Sequence, residues 1–206
     1  MPCSYLQYAF RLNSGVRAHN QIQSQDSDRN LDLVRIGWAN YRKKRLEVTT
    51  FQLSGLDHTQ FLPLFDLTDS ELREQGVVRK LATSQPGFPC RISLVDAAIG
   101  EELLLLPYRH HDVHSPYRAL GPIYIRRGVT QAILALGEIP DYVTRRVISI
   151  RAYDQEHMMV AADVAPGMDV AQRLQELFTD PSISYVHLHN AKQGCFSCLA
   201  SRASGA

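Results

Sequence analysis

With 206 residues, 45% of them hydrophobic and 21% charged, the chain is long enough to bury the core of one ordinary domain and has the balance of a soluble globular protein. Its 22 basic and 21 acidic side chains leave a formal net charge of +1, which argues against a dedicated nucleic-acid or membrane-surface protein. Cys3, Cys90, Cys195 and Cys198 are too few for a disulfide-dense scaffold, no run reaches the roughly 18 to 20 apolar residues of a membrane span, and no secretory signal opens the chain, so a reducing cytoplasm is expected.

Residues 1–47 differ in character from the rest. Asn20 to Asn30 is a polar run that cannot bury enough surface to offset its ordering entropy, and residues 1–47 are expected to be a poorly ordered extension. Leu31 to Tyr41 could form a short amphipathic helix. The basic cluster Arg42 to Arg45 reads as a solvated linker rather than a nucleic-acid contact.

A domain is expected over residues 48–202, followed by a tail at 203–206. Val48 to Leu53 alternates as a strand and stops at Ser54-Gly55. Phe61 to Phe65 is an apolar turn broken by Pro63. Thr68-Asp69-Ser70-Glu71 is a capping-box signature for a short helix ending at Gly76, and Val77 to Leu81 follows as a strand. Cys90 and Arg91 open a further strand through Leu94, after a turn fixed by Pro86, Gly87 and Pro89. Glu102 to Leu106 reads as a central strand, covered on both faces. Pro107 to Gly121 reads as a long loop carrying Arg109, His110, His111, Asp112, His114, Tyr117 and Arg118, and loops of that length usually have a task.

Ile123 to Arg126 is again a strand, and Glu138 to Thr144 a short helix with Pro140 in its first turn. Val147 to Tyr153 and Met158 to Val164 form a hairpin pair. Asp169 can cap a helix whose Val170, Leu174, Leu177 and Phe178 lie on one stripe. Tyr185 to His189 alternates so that Val186 and Leu188 share one face and Tyr185, His187 and His189 the other. Strands dominate, helices are few and short, and no strand–helix alternation is sustained, which predicts a single α+β domain with a mostly antiparallel sheet.

The densest concentration of chemistry lies between Tyr185 and Cys198. His187, His189, Cys195 and Cys198 are candidate ligands for zinc, with Cys90 as a substitute. Cys195 or Cys90 is a candidate nucleophile, with His187 or His189 as the base that generates its thiolate. Alternatively, Arg91, His114, Tyr117, Arg118, His187, His189 and Asn190 converge on a small polar or anionic ligand, because guanidinium forks suit carboxylates and phosphates. The bland alternative pairs the arginines with surface carboxylates and buries Cys198 as a small apolar group. No phosphate-binding loop, G-x-S-x-G elbow or H-E-x-x-H helix is present.

Several runs together carry a resemblance: Gly87-Phe88-Pro89-Cys90-Arg91, Glu101 to Tyr108, Ser115 to Tyr124, Arg151-Ala152-Tyr153-Asp154, His187-Leu188-His189-Asn190 and Gly194-Cys195-Phe196-Ser197-Cys198. Together they resemble the bacterial domain-of-unknown-function family 1203, over about Val48 to Arg202. The resemblance implies no established activity, cofactor or catalytic residue. It also suggests that the domain begins near Val48, which a GTG codon would render as the start, so that residues 1–47 would not be translated.

Overall fold

The structure, a computed structural model, describes residues 50–203. The expectations placed on residues 1–47, and on the tail beyond Ala203, lie outside the described residues. Among the described residues, eight strands form two antiparallel sheets joined by short helices, an α+β fold. β1 (Thr50–Ser54), β8 (Phe196–Ala203), β7 (Tyr185–Asn190), β5 (Val147–Tyr153) and β6 (Met159–Pro166) are hydrogen-bonded in that order. The smaller sheet orders β2 (Val78–Leu81), β3 (Glu102–His111) and β4 (Ala119–Arg126).

Alternation along the strands sorts side chains between two faces of the larger sheet. Val186 and Leu188 of β7, Ile148, Ile150 and Ala152 of β5, and Phe51 and Leu53 of β1 form one buried cluster with Val170, Leu174 and Phe178. The last three follow the helical stripe of α3 (Val170–Leu177), which covers that face. Asp169 precedes α3 without donating or accepting a side-chain capping bond, so the helix is held by its apolar stripe rather than by the expected cap. The short helix α2 (Asp141–Thr144) adds Tyr142 and Val143 to the same core.

The opposite face of β7 and β5 carries Tyr185, His187 and His189 in register with Tyr153, Arg151 and Ser149. A second core lies under the smaller sheet, where a 3-10 helix (Thr59–Asp66) contributes Phe61 and Phe65 and α1 (Asp69–Glu74) contributes Leu72. The capping box is present as expected: the Glu71 amide donates to the Thr68 hydroxyl, and Glu71 accepts from the Thr68 amide at 2.7 Å.

Two local expectations are corrected, and a bulge in β8 redirects two side chains. β3 continues through Pro107 to His111, so His110 and His111 are strand residues and the connecting loop shrinks to 112–118. Proline is tolerated there because β2 pairs only with Glu102 to Leu105, and beyond it β3 needs no donor on that side. Cys90 to Leu94 is a tight turn instead of a strand: the Leu94 amide donates to the Cys90 carbonyl and Leu94 takes a φ of 55°. Finally, β8 pairs His189 with Phe196 but Leu188 with Cys198, which leaves Ser197 as a bulge residue. Without the bulge, Phe196 and Cys198 would share a face; with it, Phe196 stays beside the histidines and Cys198 enters the core.

Candidate functional site

The bulge decides which of the candidate metal ligands meet. Cys198 is fully buried beneath the sheet, near the Tyr142 hydroxyl, and burial pushes its thiol up to about 11. His187 and His189 project from the other face, so the proposed set of His187, His189, Cys195 and Cys198 is divided by the sheet itself. Cys90 is fully buried in the second core and cannot substitute. Among the described residues no group of three or more His, Cys, Asp or Glu side chains is arranged to hold a metal ion.

His187 and His189 instead join His110 of β3 and Phe196 in an aromatic cluster. His110 stacks on Phe196 at 5.2 Å between ring centroids and meets His189 edge-on at 5.0 Å. His189 Nδ1–H donates to the Gly194 carbonyl at 3.1 Å, which leaves Nε2 with the bare lone pair. That Nε2, His187 Nδ1 and His110 Nδ1 are buried without a protein partner. Burial holds all three imidazoles neutral: His187 falls to about 2, His189 to about 3 and His110 to about 4, with desolvation the main cause in each.

His111 lies beside this cluster in a separate chain of hydrogen bonds. Its Nδ1–H donates to the Tyr117 carbonyl at 2.8 Å, so its Nε2 accepts from the Tyr185 hydroxyl at 2.8 Å. His157 Nδ1–H in turn donates to that hydroxyl oxygen at 2.7 Å. Tyr117 thus contributes its carbonyl to the chain. His114 and Arg118 stand apart, on a shallow depression with Val113, Ser115 and Pro116, where Arg118 is paired with Asp112 at 2.5 Å. The expected convergence of His114 and Arg118 on Arg91 does not occur.

Arg91, Asn190 and Cys195 do come together, around a cavity of about 450 Å³ also lined by Gly87, Pro89, Leu105, Pro122, Tyr124, Arg146 and Gln193. The Cys90 to Leu94 turn aims Arg91 inward, and only 2% of the residue is exposed. Its Nε–H donates to the Phe196 carbonyl at 2.5 Å and an Nη1–H donates to the Pro89 carbonyl. Asn190, 6% exposed, closes β7, and its Oδ1 is buried without a partner. Gly194, at a φ of 75°, turns the chain so that Cys195 follows half-buried, its thiol donating to the Gln193 carbonyl at 3.8 Å.

Asp96 is the carboxylate beside this cavity, and it is already engaged. Arg146 holds it at 2.9 Å, Arg145 at 3.1 Å, and the Gly87 amide donates to it at 3.3 Å. Among the described residues no carboxylate stands within ion-pair distance of Arg91. Sequence reasoning missed Arg146 and Asp96, because pairing across some fifty positions leaves no local signal, and it passed over Gln193, which lies beside Gly194 in the stretch it had singled out.

Residues 87–202 match a family described as "Protein of unknown function (DUF1203)", more than half of the chain. The chain belongs to this family. The match to DUF1203 begins at residue 87, later than the Val48 suggested by the resemblance, and takes in the Arg91 turn, β3 to β7 and β8 as far as Arg202. No curated protein and no solved structure matches the chain. Among the described residues of this DUF1203 chain, no helix is long and apolar enough to cross a membrane.

Proposed function

We propose that the protein binds a small organic anion, a carboxylate, in the cavity between the Arg91 turn, β4 and the β7–β8 connection. The observation that carries this is Arg91, a guanidinium with 2% of its surface exposed and no carboxylate counter-charge among the described residues. An unpaired buried charge is costly, and two backbone carbonyls accept two of its five N–H protons without neutralising it. An anion in the cavity supplies the missing charge, and charge-assisted bonds to guanidinium are among the stronger ones. Asn190, Gln193 and the Tyr124 side chain add polar groups, while Leu105, Pro89 and Pro122 offer apolar walls for the rest of the ligand.

The competing view, an enzyme with Cys195 or Cys90 as nucleophile and His187 or His189 as base, has less support. Cys90 is fully buried, and among the described residues no imidazole hydrogen-bonds the Cys195 thiol.

Thermal unfolding with rising propanoate at constant ionic strength tests the anion site. The melting temperature should climb with propanoate in the wild type and in Arg118→Gln, and stay flat in Arg91→Gln. Asn190→Asp, close in shape but adding negative charge to the cavity, should also stay flat and covers the case in which Arg91→Gln fails to fold. A wild type indifferent to carboxylates, or an Asn190→Asp chain that responds like the wild type, contradicts the proposal.

A further inference from the structure

The anion cavity contains one group that anion binding does not use. Cys195 lines it with a half-buried thiol, whereas Cys90 and Cys198 are sealed in the two cores. The same cavity holds Arg91 and Arg146 against the single carboxylate of Asp96, so the thiol faces a positive surplus. Reactive thiols are found in partly exposed, electropositive surroundings of this kind. Arg91 and the unpartnered Asn190 Oδ1, each more than nine-tenths buried, point independently to a ligand in the same space.

We infer that Cys195 is a modification site that forms a mixed disulfide with a small thiol bearing a carboxylate, delivered as its disulfide with the carboxylate on Arg91. This rests on the anion-binding proposal above. Cys195 loses its proton to solvent, and its thiolate attacks one sulfur of the incoming disulfide. The old S–S bond breaks as the new one forms, and the second half leaves as a thiolate carrying the electron pair. The protein thiol is oxidised and the small disulfide reduced, so no further oxidant is required. Binding at Arg91 raises the local concentration of the disulfide beside the thiol, and exchange becomes selective for anionic partners.

Dithiodiglycolate and 2-hydroxyethyl disulfide carry the same disulfide between short arms that end in carboxylates or hydroxyls. The rate of adduct formation at Cys195 is read on the full chain by peptide mass mapping. Cys195 should react about tenfold faster with dithiodiglycolate, the equivalent of one charge-assisted contact. The preference should vanish in urea, in excess propanoate and in Asn190→Asp. Equal rates, or a faster reaction with the neutral disulfide, overturn the inference. Propanoate-dependent unfolding of Cys195→Ser separates the two claims. If that variant still responds to propanoate while the wild type shows no rate preference, the modification site fails alone. If it does not respond, the anion site fails with it.

Discussion

Acid should destabilise this protein through three desolvated histidines, and His187 and His189 carry larger shifts than His110, which falls only to about 4. His187 and His189 titrate near 2 and 3 in the folded chain, against 6.5 for an unburied imidazole, chiefly because burial penalises the charged ring. Both folded values are depressed, so the folded chain binds fewer protons than the unfolded one. Stability is therefore fully present above pH 6.5 and is lost as the pH falls toward the folded values. Between pH 6.5 and 4.5 each histidine costs about 1.36 kcal/mol per pH unit, or roughly 5 kcal/mol for the pair. That is comparable to the whole stability of a marginal domain, about 5 to 15 kcal/mol. Urea unfolding followed by circular dichroism at pH 6.5 and pH 4.5 measures the loss directly. His187→Gln removes one of the two groups and should shrink the pH-dependent loss by about 2 to 3 kcal/mol, whatever it does to stability at neutral pH. Exposed carboxylates titrate alike in both chains and cancel in the difference. If variant and wild type lose the same stability, His187 is protonated within the fold and the dry-cluster description is wrong.

Three substitutions test the scaffold, each by urea unfolding. Thr68→Ala removes the hydroxyl that caps α1 and should cost about 1 kcal/mol, an effect to be sought in the midpoint rather than the slope. Tyr142→Phe deletes a fully buried hydroxyl bonded to the Ser197 carbonyl at 2.9 Å and to its Oγ at 2.7 Å, for a loss of about 1 to 3 kcal/mol. Gly167→Ala would place a methyl group 2.0 Å from the Val143 carbonyl oxygen, where backbone must move, and should cost about 3 kcal/mol or more.

What could be read from the sequence was what depends on neighbours in the chain. The capping box at Thr68, the alternation from Tyr185 to His189, the β5–β6 hairpin and the Val170, Leu174, Phe178 stripe all rest on local periods, and all are present. The fold class followed from the same patterns. The site was only partly legible. Arg91, Asn190 and Cys195 do share a cavity, but His114 and Arg118 lie on a separate surface depression. The Cys195 and Cys198 spacing suggested a ligand pair, and a single bulge at Ser197 turned Cys198 to the other face. Bulges, like the Asp96 pairing with Arg145 and Arg146, are settled by tertiary contacts that no local period announces. Pro107 misled in the opposite direction, since its cost as a strand residue depends on where β2 stops.

The central claim is that a bound carboxylate completes the charge balance of Arg91. A crystal structure of the protein grown in propanoate, with a matched crystal grown in chloride, tests it most directly. The predicted result is a propanoate with an oxygen within hydrogen-bonding distance of the Arg91 guanidinium, in the space between Tyr124 and Asn190. A cavity holding only water while propanoate binds elsewhere on the surface would contradict it.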